Sequence, residues 1–354
     1  MCKRHPQQRD LLTRPNGRFH HLATGLAALG HEVHVALLSH RHLPSEAIVR
    51  SGVNWYADDL LFAGPVAYWR RIHALAKTQR MDWVVGCSDI YYGVLAVELA
   101  RRCGARAAVD AYDNFESYMP WAKPPHWAWR RALARADLVT AAGPQLAELL
   151  GRSHAKRVHV LPMTADPQFV PAGREDCRRS LNLPQAAPLI GYCGSFTRTR
   201  GSDLLLEAFD RVRADRPDAR LVLSGRHPTA LAQRAGVISL GMLKDEQMPA
   251  MVNSLDLACV LMADTLFGRY SYPAKLCEAM ACGVPVVASA TAPVRWMLAD
   301  DARFLAAVGN AGALAAKILG NLEQRPTGYS ALPSWSELTR RYERLLMGTA
   351  PKSR

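Results

Sequence analysis

The chain lacks several features that would settle its class at once. No Cys-x-x-Cys pair joins its eight cysteines, which are scattered as Cys2, Cys87, Cys103, Cys177, Cys193, Cys259, Cys277 and Cys282. Several sit in apolar runs, so reduced core thiols are expected rather than disulfides or zinc ligands. Apolar runs such as 33–38 and 255–262 fall far short of the ~20 residues of a membrane-spanning helix. No charged-then-apolar leader opens the sequence, and a cytoplasmic protein is expected. Also missing are an Asp-x-Asp arrangement, the Gly-x-x-x-x-Gly-Lys-Ser/Thr of a P-loop and the glycine spacing of a dinucleotide fingerprint.

What is present is 354 residues, 49% hydrophobic and 21% charged, enough for two domains with separate cores. The formal net charge of +13 suggests an anionic partner. Residues 1–170 hold 21 basic and 14 acidic side chains, and the rest hold 23 and 17, so the excess is spread evenly. That disfavours a basic tail or nucleic-acid arm, and no nucleic-acid partner is expected.

Short apolar strands alternate with amphipathic helices almost throughout, the pattern of parallel sheets covered by helices. Strands are predicted at 33–38, 83–86, 107–111, 138–141 and 158–161, with helices near 19–29, 92–102, 127–135 and 145–150. After a proline-rich stretch, strands at 189–193, 220–224, 237–240, 255–261 and 284–288 alternate with helices at 203–215, 274–282 and 311–322. The expected division is an N-terminal Rossmann-like domain over 1–168, a linker over 169–187, a second Rossmann-like domain over 188–331 and a C-terminal helix in 332–354 crossing back to the first. Residues 1–15 are polar and strand-poor, so the first domain is expected to lack its first strand, with the natural start upstream.

Two segments carry candidate chemistry. Gly194-Ser195-Phe196-Thr197-Arg198-Thr199-Arg200-Gly201 follows a strand and precedes a helix, where glycines admit a ligand to the backbone and arginines attract a diphosphate. Taken alone, that loop reads equally well as a solvated turn. The second segment is Tyr270-Ser271-Tyr272-Pro273-Ala274-Lys275-Leu276-Cys277-Glu278. Pro273 is expected in the first helical turn, and Lys275 and Glu278 are three apart on one face. A carboxylate there can accept from a ribose diol while the lysine meets phosphate; an ordinary surface ion pair has the same spacing.

With Asn16-Gly17, Gly30-His31-Glu32-Val33-His34-Val35, Leu161-Pro162 followed by Asp166 and Phe169, the 194–201 loop, and Glu278-Ala279-Met280-Ala281-Cys282-Gly283-Val284-Pro285-Val286-Val287-Ala288, the chain resembles the retaining glycosyltransferases of family 4, with the GT-B fold. The resemblance implies an α/β protein of two Rossmann-like domains, with parallel sheets facing across a cleft. It also implies retaining transfer of a hexose from a nucleotide diphosphate sugar to a glycan or lipid-linked acceptor, as in polysaccharide biosynthesis. Glu278 would bind the donor ribose, Arg198 and Arg200 its diphosphate, and Gly17 would close on the donor phosphates from the other domain. Gly194, Gly201, Tyr270, Ser271, Tyr272 and Lys275 complete the donor set. Asp113, Arg198 and Lys275 are the catalytic candidates. Cations and amides take the place of a metal, so neither metal nor other cofactor is expected.

Two positions depart from the family. Tyr270 stands eight residues before Glu278, where a Glu is usual, and Tyr112 precedes Asp113 where a His is usual. A sugar-nucleotide epimerase or a GT-B protein that has lost catalysis therefore remain alternatives. Tyr118, Trp121, Trp127 and Trp129 with Lys123, Arg130, Arg131 and Arg135 suit a helix packing its tryptophans inward, or a peripheral contact with an anionic membrane at its inner face. Pro120, Pro124 and Pro125 are candidates for an acceptor-side loop. His20, His21, His31 and His34 lack ligand-spaced companions, and packing is expected of them.

Overall fold

The computed structural model describes residues 1–6, 9–197, 201–322 and 328–349. These divide into two compact units, Met1–Met163 with the chain from Pro333 onward, and Thr164–Leu332.

Unit 1 runs β1 (Cys2–Lys3), α1 (Gly17–Ala28), β2 (Val33–Ser39), β3 (Glu46–Arg50), β4 (Val53–Asp59), α2 (Leu60–Thr78), β5 (Trp83–Cys87), α3 (Ile90–Cys103), β6 (Arg106–Ala111), α4 (Lys123–Arg135), β7 (Leu138–Ala141), α5 (Pro144–Gly151) and β8 (His159–Val160). Its strands pair in the orders β1-β2-β4-β3 and β5-β6-β7-β8. Met1 joins the two sets: its ammonium donates to the Val85 carbonyl at 2.7 Å, and its carbonyl accepts from the Cys87 amide at 3.1 Å. All pairings are parallel except the β3–β4 hairpin, which turns through Ser51 and Gly52, both at positive φ.

The first strand is therefore present rather than absent, reduced to two residues in register with Leu37 and Leu38. Cys2 is 1% exposed and packs with Leu37 and Trp55, so burial holds a segment whose polarity argues against a strand. The hairpin and α2 are not among the sequence-based elements, although Ser51-Gly52 was an available turn signal. The C-terminal helix, Trp335–Gly348, opens with a capping box of Ser334 and Glu337 and buries Trp335, Leu338, Tyr342 and Leu346 against Leu22 and Leu161.

Unit 2 runs α6 (Arg174–Ser180), β9 (Leu189–Cys193), α7 (Ser202–Asp215), β10 (Arg220–Ser224), β11 (Val237–Gly241), α8 (Met248–Asn253), β12 (Leu257–Val260), α9 (Ala274–Ala281), β13 (Val286–Ser289), α10 (Ala292–Met297), β14 (Leu305–Ala306) and α11 (Ala311–Asn321). Its single sheet has the order β11-β10-β9-β12-β13-β14, all parallel. Alternate residues feed opposite faces: Leu189, Val222, Val260 and Val286 pack with α8 and α9, while Ile190, Leu221, Leu257 and Val287 pack with α7 and α11. Both faces are covered, which is why these strands read as continuous apolar runs.

The expected linker 169–187 is instead folded into unit 2. Phe169 joins its core, and Arg178, 1% exposed, donates to the Ser254 carbonyl at 2.9 Å and to Asp256 at 2.6 Å. Prolines at this spacing disguised an ordered segment that a buried guanidinium pins to the ends of α8 and β12. The chain changes units at Met163/Thr164 and Leu332/Pro333.

Candidate functional site

The unit 2 site begins where β9 ends. Gly194, at φ +131°, donates its amide to the Ser224 carbonyl at 2.7 Å, and Phe196 donates to the Arg226 carbonyl at 2.7 Å. Gly225, at φ +107°, closes on the same spot: a Cβ there would lie 2.6 Å from the Gly194 carbonyl oxygen. Two strand ends thus interlock through residues without side chains, leaving backbone at the carboxyl edge of the sheet, where ligands of parallel α/β sheets gather. Gly225 was not among the sequence candidates; the Ser224-Gly225 step at the end of a predicted strand was its only signal.

Lys275 and Glu278 lie on α9, one helical step apart. A Cβ on Gly194 would collide with the Lys275 Nζ, so the lysine lies across the glycine's open face. Cys193 is shifted by the same neighbours: burial pushes its thiol up, a Ser224 hydrogen bond and the Lys275 charge pull it down, and Glu278 pushes it up again. The structure therefore brings Gly194, Lys275 and Glu278 together at one strand end. Pro273 is the N-cap of α9 rather than part of its first turn, and no side chain caps the helix there. Ser271 and Tyr272 are buried just ahead of it, with Tyr272 edge-on to Trp296 at 5.8 Å. Tyr270 closes the 3-10 turn Gly268–Tyr270 and donates its amide to the Phe267 carbonyl at 3.1 Å. Gly201, at φ +71°, is the N-cap of α7. Arg198 and Arg200 lie outside the described residues.

Unit 1 places Gly17 as the first residue of α1 and Asp113 just past β6. Asp113 is 9% exposed and accepts a 2.9 Å hydrogen bond from the Tyr118 hydroxyl. Burial first, then the Asp113 charge, pushes the phenols of Tyr112 and Tyr118 upward, so both stay protonated donors. Lys3 pairs with Asp89 and lies 5.7 Å from the Tyr118 ring. Next to Gly17, Arg18 is fully buried. It grips Asp110 with two 2.7 Å bonds and donates to the Leu161 carbonyl at 2.9 Å, while Thr140 donates to Asp110 at 2.6 Å. This Arg18–Asp110 pair escaped sequence reasoning because 92 residues separate its members.

Pro124 and Pro125 are in the first turn of α4, not in a loop, since proline needs no amide there. Of Trp121, Trp127 and Trp129, only Trp129 packs inward; Trp121 and Trp127 are exposed, with Arg131 5.5 Å from the Trp127 ring. His20 stacks on Trp55 and His21 on Trp335. Among the described residues, no group of three or more His, Cys, Asp and Glu is arranged to hold a metal, and no helix is long and apolar enough to cross a membrane.

Two protein families match the chain: "Glycosyl transferase 4-like domain" over residues 15–164 and "Glycosyl transferases group 1" over residues 187–324. The chain is similar to a D-inositol 3-phosphate glycosyltransferase of Xylanimonas cellulosilytica, 27% identical over 54% of this chain and 50% of that one. It is also similar to a phosphatidyl-myo-inositol mannosyltransferase of Propionibacterium freudenreichii, 33% identical over 39% of this chain and 35% of that one. The chain thus spans half the length, or less, of these curated relatives. Among solved structures, sucrose-phosphate synthase of Thermosynechococcus elongatus has the same fold, with a TM-score of 0.71 at 18% identity over 94% of this chain and 88% of that one.

Proposed function

Since the chain belongs to the family 4-like glycosyltransferases of the GT-B fold, we propose that it transfers a hexosyl unit from a nucleotide diphosphate sugar, with retention, to a glycan or lipid-linked acceptor. The observation that carries this reading is the Lys275 ammonium lying over Gly194, with Glu278 one helical step further along α9.

In this reading the bare backbone at Gly194 and Gly225 admits the diphosphate, and Lys275 meets its charge. Glu278 accepts from the ribose hydroxyls, and Arg198 and Arg200 add positive charge from the same loop. Charge that develops on the leaving diphosphate is then stabilised by fixed cations and amides rather than by a metal. Asp113, held by Tyr118, positions the acceptor. The relatives named for inositol phosphate and phosphatidylinositol acceptors support an acceptor that is a phosphorylated polyol or its lipid. Exposed Trp121 and Trp127, with Lys123, Arg130 and Arg131, support peripheral contact of this cytoplasmic enzyme with an anionic membrane.

Calorimetric titration with nucleoside diphosphates and their sugars tests the donor site. Lys275→Ala and Glu278→Ala are each expected to weaken binding about tenfold, the loss of one charge-assisted hydrogen bond of ~1.5 kcal/mol. No binding by the wild-type chain, or binding untouched by both substitutions, rejects the assignment. Activity that persists in EDTA, with the product's anomeric configuration read by NMR, tests metal independence and retention together.

A further inference from the structure

Strand order singles out one point on the carboxyl edge of unit 1. β1 pairs with β2 on one side, and Met1 ties it to β5 on the other. The chain leaving β1 runs through α1 to β2, while the chain leaving β5 runs through α3 to β6. The two connections diverge between β1 and β5, and in parallel sheets ligands gather at the carboxyl ends of strands where that happens. Those ends are Lys3, the last residue of β1, and Ser88-Asp89, which follow β5. The end of β6, the next strand, leads through Tyr112 to Asp113.

Polar groups are fixed at this point by the backbone itself. Ser88 is fully buried at φ +78°, a left-handed conformation that favours glycine and is strained for serine. Its Oγ accepts the Lys3 amide at 2.9 Å, which fastens the end of β1 to the end of β5. Just past this turn, the Asp89 carboxylate meets two donors, the Ile90 amide at 2.7 Å and the Lys3 ammonium. Lys3 also lies 5.7 Å from the Tyr118 ring, and the Tyr118 hydroxyl donates to Asp113 at 2.9 Å. Asp89 and Asp113 are buried, but the Lys3 side chain is 35% exposed, so the cluster reaches solvent along the lysine. Tyr91, in the first turn of α3, is exposed and adds an aromatic ring to the same edge.

We propose that Lys3, Asp89, Asp113 and Tyr118 form the subsite for an uncharged polyol ring, a sugar or cyclitol, of the acceptor. The subsite presupposes the glycosyl transfer proposed above and gives its acceptor a chemical class. Two carboxylates outnumber one ammonium in this cluster, so a phosphate is repelled from it. Ring hydroxyls are not: they donate to carboxylates and accept from an ammonium. The Asp89–Lys3 pair offers an acceptor and a donor side by side, which suits neighbouring hydroxyls of one ring. In a phosphorylated polyol the ring therefore sits here, and the phosphate lies outside the cluster. Buried carboxylates also select against a ring that lacks the matching hydroxyl, because they are then left unpaired.

The test is saturation-transfer NMR titration of the full chain with myo-inositol, mannose and glucose, each beside its 1-phosphate, with nucleoside diphosphate calorimetry on the same samples. At least one uncharged ring should bind, and its phosphate should improve affinity by no more than about twofold. Lys3→Gln and Asp89→Asn should each weaken ring binding about tenfold, while nucleotide affinity stays at the wild-type value. Asparagine still caps α3, so Asp89→Asn keeps the fold, which circular dichroism checks. No ring bound by the wild-type chain, ring binding untouched by both substitutions, or a phosphate that improves affinity tenfold or more overturns the subsite. Nucleotide bound without any ring overturns the subsite alone; a ring bound through Lys3 and Asp89 without nucleotide supports the subsite and rejects the donor assignment.

Discussion

The two sheets differ most at their centres. In unit 2 the central strand β9 is five residues long, pairs on both sides, and is 0% exposed at Leu189 and Ile190. In unit 1 the central strand is the two-residue β1, and charge fastens the elements around it: Lys3 to Asp89, Arg4 to Asp10 and Glu46, and Arg18 to Asp110. A complete apolar strand supplies enough order by itself that its end can be bare backbone, and the candidate donor site is built from glycine amides and two side chains of one helix. Around β1, Arg4 and Arg18 are buried guanidiniums that each hold carboxylates, Arg4 those of Asp10 and Glu46, and Arg18 that of Asp110 from 92 positions along the chain.

The largest effect should come from putting a side chain where the unit 2 edge needs none. Gly194→Val is strained at φ +131° and collides with Lys275, so nucleotide binding should fall by about 100-fold or more, as a displaced binding edge would dictate. Calorimetry reads the loss, and circular dichroism checks that the fold persists. Retained affinity would mean that the ligand does not use this edge.

Next in size is the tie in unit 1. Arg18→Met keeps the bulk but strands the Asp110 carboxylate, which should cost about 3–5 kcal/mol in urea denaturation. Adding Asp110→Asn should recover part of that cost. A loss below ~1 kcal/mol would show that apolar packing, not the ion pair, holds α1 to β6.

The smallest effect is a matter of pH. His154 is buried, with its Nδ1 2.8 Å from the Leu133 carbonyl; burial lowers its pKa below the ordinary value of 6.5. The unfolded chain therefore takes up the proton first as pH falls. This contribution is complete above about pH 6.5 and is lost as pH drops through that value toward the folded pKa. His154→Gln should flatten the decline in stability between pH 7 and 5 without removing it, because burial lowers His5 and His159 as well. A thermal-melt series across that range checks the slope, and an unchanged slope removes His154 from the account.

Legibility in the sequence follows the same divide. In unit 2 most of the strands and the pairing of a glycine loop with the Lys275–Glu278 helix could be read directly, because each is local: an apolar run, a turn residue, a three-residue spacing. The exception was 169–187, where prolines suggested a linker and only the buried Arg178–Asp256 pair reveals folded chain. In unit 1 the β3–β4 hairpin and α2 were missed. The Gly64-Pro65 step kinks α2 near its start, and Leu61, Phe62 and Val66 are exposed, which blurs the helical pattern.

Hydrophobic period and turn residues act over a few positions, so two alternations of strand and helix, and the type of chemistry their loops can support, are written locally in the chain. That Cys2–Lys3 is a strand, that Arg18 belongs with Asp110, and that Lys275 rests on Gly194 emerges from the folded chain alone. Each of these depends on groups far apart in the chain whose burial outweighs local preference, and no local pattern records which distant partner will be there.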